Sequence, residues 1–208
     1  MPARNGKDAR TPRERLMRAA HLFYTEGIRA VGIDRVLREA GTPVASLYRL
    51  FGSKDGLVEA YLVDKDQRVR AKFEREVDKL ADNGRDKALA VFDVLGAVVA
   101  DADYRGCTFI NVAVEMADRD HPFTAISVAH KEHARDLFAG YLTEAGIADP
   151  ELLATQLRML MDGVFVSTQM RASDAAREAR AAAAVLIDAA LAAQHPSPRP
   201  RPAGESGR

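Results

Sequence analysis

Apolar residues along this chain recur at spacings of three and four, and no stretch alternates at period two, so the pattern predicts helices throughout. Leu16, Ala19, Ala20 and Phe23 form a first stripe, opened by Thr11-Pro12 as cap and first-turn proline and closed by Gly27. Ile33, Val36, Leu37 and Ala40 form a shorter second stripe that stops at Gly41. A third helix starts at Thr42-Pro43 and ends near Phe51-Gly52. Ser53 caps a fourth, which runs through Leu57, Tyr61 and Leu62 to about Ala81 with Asp55 favouring its N-terminus.

Beyond Asn83-Gly84 the pattern predicts longer helices rich in Ala and Val: 86–102, 107–117, one from Pro122 to Gly146, and one from Asp149-Pro150 to about Ala172. Ser173 reads as the cap of a last helix ending near Gln194. Residues 195–208 lack apolar side chains to bury and read as disordered, as do 1–11. The fold class expected is therefore all-α. A head over 12–60 carries three short helices, and 61–194 forms a helical effector-binding and dimerisation body.

Composition narrows the class. With 208 residues, 47% of them hydrophobic, the chain can bury a sizeable core. It contains no run of eighteen apolar residues and no apolar stretch in its first eleven, so neither a membrane span nor a secretory signal is expected. A lone cysteine, Cys107, excludes an internal disulfide and fits a reducing compartment, which points to the cytoplasm. The zero net charge conceals an asymmetry. Residues 1–60 hold eleven Lys and Arg against seven acids, a net of +4, and the remainder carries −4. A basic head on an acidic body suits phosphate binding, although surface variation alone can produce such a split.

The second and third helices, joined by Ala40-Gly41-Thr42, have the helix-turn-helix arrangement. Gly41 suits a turn that needs positive φ, and Thr42, pushed out of the helical region by Pro43, suits an N-cap. Leu47, Leu50 and Phe51 form an apolar back face, leaving the leading end of the third helix outward, as entry into a major groove requires.

The run from Glu26 to Leu62 resembles the DNA-binding domain of the TetR/AcrR family of regulators. The carriers are Phe23 and Gly27, Ala40-Gly41, Leu47-Tyr48-Arg49 followed by Phe51, and Ser53-Lys54. The resemblance implies that Tyr48 and Lys54 contact backbone phosphates. It also implies that Thr42, Pro43, Val44, Ala45, Ser46 and Arg49 face bases and sugar-phosphate. Packing for Tyr48 and plain solvation for Lys54 are the alternatives. Gly32 and Val44 depart from the Ser/Thr cap and the polar or basic residue common at those places in the family. The basic N-terminal residues Arg4, Lys7, Arg10 and Arg13 can serve as a minor-groove arm or simply as a tail. Partners implied are double-stranded operator DNA, a small-molecule effector and a second copy of the chain; no cofactor is implied.

In the body, Leu153, Leu157, Leu160, Met161, Val164 and Thr168 make one stripe, and Ala179, Ala183, Leu186, Ile187, Ala190 and Leu191 another. They read as the homodimer interface, the alternative being the subunit's own core. Polar residues interrupting apolar stripes point to an effector pocket lined by Cys107, Phe109, Asn111, Glu115, His130, His133, Met161, Asp162, Phe165, Gln169 and Met170. Glu115, His130, His133 and Asp162 also have ligand chemistry for a metal, and Cys107 beside Arg105 has that of a redox switch. No glycine-rich phosphate loop or nucleophile elbow accompanies these residues, so an enzyme is not expected.

Overall fold

The structure, a computed structural model, describes residues 10–171 and 174–194. Among these there are helices and no strands: α1 Pro12–Ala19, α2 Leu22–Glu26, α3 Ile33–Ala40, α4 Val44–Phe51, α5 Lys54–Leu80, α6 Gly84–Val99, α7 Thr108–Met116, α8 Pro122–Glu144, α9 Glu151–Gln169 and α10 Ala175–Gln194. Ser173, the tail 195–208 and the arm residues Arg4 and Lys7 lie outside the described residues.

The first predicted helix is two. Thr11 and Glu14 form a reciprocal capping box at its start. Near Ala20 the ladder tightens to i→i−3 bonds, His21 N–H to Arg18 and Phe23 N–H to Ala20, which turns α2 off the α1 axis. Gly27 then ends α2 at φ 95°, and α3 begins after Gly32 without a side-chain cap. Asn83 caps α6 by accepting the Asp86 N–H, so the helix starts at Gly84, two residues earlier than expected.

Two apolar clusters form the interior. The first joins Leu16, Phe23, Val36 and Leu47 of the head to Leu57, Tyr61 and Leu62 of α5. Val112 and Met116 of α7 and Phe123 of α8 complete it, so the head core is closed by the body. The second cluster is built from α6, α8, α9 and α10 around Phe92, Phe138, Leu142, Leu157 and Ile187, and it receives Val77 near the far end of α5. The expected division after residue 60 therefore falls inside one continuous helix, ahead of Tyr61 and Leu62, which still serve the head cluster.

The two stripes read as a dimer interface lie largely in the subunit's own core, the alternative that the sequence left open. Leu153, Leu157, Met161 and Val164 of α9, and Ala179, Ala183 and Ile187 of α10, are buried within the subunit's own core, with Leu160, Leu186, Ala190 and Leu191 packed against it. Exposed apolar positions lie outside the two stripes, on Leu152, Met159, Val166 and Val185. A shallow groove between α9 and α10, lined by Met159, Gly163, Ala182 and Leu186, runs beside them. Packing against α6 and α8 decides which side of each helix faces inward.

Candidate functional site

The helix-turn-helix is built around Gly41. In left-handed conformation (φ 55°, ψ 41°) it donates to Arg38 O, and Thr42 N–H reaches back to Leu37 O, which is the Schellman closure of α3. A residue with a Cβ is strained there. The closure folds Thr42 underneath the turn: its side chain is buried and its hydroxyl donates to Ala40 O at 3.0 Å. Thr42 is thus neither the cap of α4 nor part of the outward face, because the hydroxyl is consumed in the turn. Pro43, extended at ψ 147°, takes the N-cap position instead, and its carbonyl accepts the Ser46 N–H.

Leu47 is fully buried and anchors α4 on α1 and α5. This orientation leaves Pro43, Val44, Ala45 and Arg49 exposed and Ser46 half-buried. Tyr48 is 54% exposed, so it is a surface aromatic rather than a core one. The guanidinium of Arg13 lies 5.0 Å over the ring of Phe51 at the far end of α4.

Lys54 does not project freely. Its ammonium donates to the Ile28 carbonyl at 2.6 Å and lies 5.8 Å over the Phe23 ring. The Ile28 N–H on the other side of that residue donates to Glu115 Oε2 at 3.1 Å, and the Arg29 N–H to Glu115 Oε1 at 2.6 Å. The guanidinium of Arg29 in turn donates to Met116 O. The loop after Gly27 is clamped between the first turn of α5 and the end of α7. A Cβ on Gly27 would stand 3.4 Å from Glu115 Oε1, at a φ that already disfavours one. Glu115 is therefore a link between head and body, and with Asn111 it lines a small cavity of about 260 Å³ beside Gly27.

A second link lies at the start of α7. The Tyr24 hydroxyl donates to Gly106 O at 3.1 Å and accepts the Arg105 N–H at 2.7 Å. Asn111 and Gln169, also expected in a pocket, both donate to Arg105 O and hold the same loop to α7 and α9. Both are pocket candidates by sequence, as polar interruptions of apolar stripes, and in the structure each meets a loop carbonyl.

A cleft of about 1370 Å³ opens between α1, α5, the start of α7, α8 and α9. Four of the expected pocket residues line it: Cys107, Phe109, His130 and Phe165. Met161 is buried in the core behind it, and Met170 is exposed outside it. His133 faces Glu74 at 3.0 Å, and Asp162 is held by Lys131 at 2.6 Å and Arg158 at 2.5 Å. The proposed metal ligands are thus dispersed. Among the described residues no group of three or more His, Cys, Asp or Glu could hold an ion.

His130 stacks on Phe109 with ring centroids 3.8 Å apart, and its Nδ1 meets Asp66 Oδ1 at 2.6 Å. Burial, opposed by that hydrogen bond, brings its pKa down to about 4, so the ring is neutral near pH 7. Arg70 also donates to Asp66 Oδ1, which supports the carboxylate without a second charge on the imidazole. With Nδ1–H donated to Asp66, Nε2 carries the lone pair. Cys107 sits at the N-cap of α7, buried, while Arg105 beside it is exposed.

Sequence reasoning missed Tyr24, Lys65, Arg68 and Tyr104, which complete the cleft wall. The available signal was a run of cations (Lys65, Arg68, Lys72) continuing the column of α5 that begins with the buried Tyr61.

Residues 16–61 match the sequence profile described as bacterial regulatory proteins, tetR family. The chain is similar to the HTH-type transcriptional regulator YjdC of Escherichia coli (strain K12), with 23% identity over 145 residues, 70% of this chain and 76% of that protein. Its fold is similar to that of SCO4454, a TetR-family transcriptional regulator from Streptomyces coelicolor, with 29% identity and a TM-score of 0.73, covering 86% of this chain and 88% of the other. It is also similar to sav143 from Streptomyces avermitilis MA-4680 at 29% identity and a TM-score of 0.74, covering 88% and 99%.

Proposed function

We propose that this chain, a TetR-family transcriptional regulator and so a DNA-binding protein rather than an enzyme, is a homodimeric repressor that a small-molecule effector releases from its operator. The observation that carries this reading is α4. It is locked to the head by Leu47 and presents Val44, Ala45, Tyr48 and Arg49 outward from its leading turns. Val44 and Ala45 contact thymine methyls, Arg49 and Ser46 supply polar readout, and the Tyr48 hydroxyl donates to a phosphate. Lys54 positions the loop through Ile28 and adds its positive charge beside the backbone.

Two copies pair through the outer face of α9 and α10, where Leu152, Met159, Val166 and Val185 leave apolar surface uncovered and Gly163 permits close approach. The two recognition helices then stand at a separation that must match the repeat of the DNA. The effector occupies the cleft beside α5 and α7. Because Tyr24 and Glu115 tie the head to the two ends of α7, a shift of α7 or α5 on ligand binding reorients the head. An effector that favours the reoriented state lowers operator affinity in proportion to its preference for that state. Such a regulator works in the cytoplasm, where its operator is.

The test is fluorescence anisotropy with duplex DNA from upstream of the chain's own gene, across a salt series. A steep linear fall of log affinity with log salt, together with a preference over unrelated duplex, is expected. Equal, weak binding to every duplex would remove the operator reading.

A further inference from the structure

The cleft has a divided chemistry. Its inner part is apolar and aromatic, formed by Val69 and Phe73 of α5, Phe109 of α7 and Phe165 of α9, with the Tyr104 ring stacked on Phe165. Its outer part is cationic: six Lys and Arg line the cleft against three carboxylates. Two of those carboxylates are engaged, Glu14 in the capping box with Thr11 and Asp64 in an ion pair with Arg68. The third, Glu59, is exposed.

Lys65 lies between the two parts. It is half-buried, no carboxylate among the described residues pairs with it, and its ammonium rests 5.2 Å over the ring of Tyr24. Burial, then Arg68 and Lys72, make its charge unfavourable and push its pKa down. Asp66, which follows it in sequence, is taken by Arg70 and His130. A cation desolvated beside two others and left without a counterion costs stability, and an anion entering the cleft reverses that cost.

We infer that the effector is a small aromatic carboxylate, its ring among Phe73, Phe109 and Phe165 and its carboxylate on Lys65. This rests on the effector-release reading above and names the chemical class that reading leaves open. Arg68 supports the same charge from the next turn of α5, and the Nε2 lone pair of His130 accepts from a ring hydroxyl where one is present. Drawing the Lys65 ammonium away from Tyr24 acts on the residue that tethers the head to Gly106, which couples occupancy of the cleft to the DNA-binding end.

The experiment is calorimetric titration of the full-length protein with matched pairs: benzoate, 4-hydroxyphenylacetate, 4-hydroxycinnamate and 2-naphthoate, each beside its primary amide. At least one acid should bind about tenfold or more tighter than its amide, because only the acid completes a charge-assisted pair. Lys65→Met should abolish that preference by weakening the acid far more than the amide, and Lys65→Arg should retain it. Lys65→Met should also melt higher than the parent protein without ligand, an effect that mere loss of a structural contact does not produce. Amides binding as tightly as acids throughout the panel, no binding by any acid, or an acid preference that survives Lys65→Met would each overturn the assignment. Operator affinity measured on the same samples separates the two readings. Operator binding with no acid preference removes the ligand class alone, and an acid preference without operator binding removes the repressor reading alone.

Discussion

The carboxylate of Glu115, near the end of α7, holds the backbone N–H of Arg29 at 2.6 Å and so fixes the loop that leads into the helix-turn-helix. Its other oxygen takes the Ile28 N–H, whose carbonyl receives Lys54. Glu115→Gln replaces one of these acceptors with an amide donor facing another donor. A loss of about 1–2 kcal/mol in thermal unfolding is expected, with weakened operator affinity, while the separation of subunits in sedimentation stays unchanged. Parent-like melting and DNA binding would show that the contact is incidental.

The phosphate assignment for Tyr48 makes a salt-sensitive prediction. Tyr48→Phe should weaken binding about fivefold, equally for operator and unrelated duplex, since a lost phosphate hydrogen bond carries no sequence information. Lys54→Ala should lower the salt slope by roughly one and, unlike Tyr48→Phe, lower the melting temperature through loss of the Ile28 contact. Anisotropy and thermal melts on both variants check this.

His130 predicts a pH dependence. Its folded pKa lies below the unfolded value of 6.5, near 4, so the unfolded chain binds more protons between those limits. Stability is full above about pH 6.5 and declines as pH falls toward 4, by on the order of 2 kcal/mol between pH 7 and pH 5 from this group. His130→Asn, which keeps a donor for Asp66 but cannot titrate, should flatten that part of the profile in denaturant melts. An unchanged slope would place the titration elsewhere.

The exposed face of α9 and α10 predicts assembly. Val166→Glu and Val185→Glu introduce charge on surface already open to water in one subunit, so helicity should be kept. If the two copies meet there, each charge is buried without a partner, and sedimentation should report single subunits. Operator affinity should fall steeply with it, because two half-sites are no longer held together. Intact dimers in both variants would move the interface to another face.

Gly41→Ala should cost roughly 1–2 kcal/mol, since the left-handed turn is kept only against steric resistance, whereas Gly41→Asn should cost less. Chemical denaturation distinguishes them.

Much of this protein follows from local rules read along the chain. Spacings of three and four define the helices, and a glycine that tolerates positive φ, followed by Thr42-Pro43, defines the turn. The exposed Tyr48 and Arg49 with a buried Leu47 follow from the 100° step of one helix. Those features depend on neighbours within a few residues, so sequence order contains them. Local order did not show that Thr42 spends its hydroxyl on Ala40, or that Ala20 marks a break between two helices.

Partners distant in sequence were decided only when the helices packed. Glu115, Asn111 and Gln169 were recognisable as polar interruptions, but whether such a group meets a ligand, a metal or a loop carbonyl depends on what stands opposite. Here Arg29 and Arg105 do. The same holds for α9, whose apolar stripe reads equally as a dimer interface or as the subunit's own core until neighbouring helices cover most of it. It holds equally for Lys65, an ordinary surface lysine by sequence that lies over Tyr24, half-buried and without a counterion among the described residues. Periodicity gives each helix a buried side, but only the arrangement of the other helices gives that side its contacts, its charge environment and hence its chemistry.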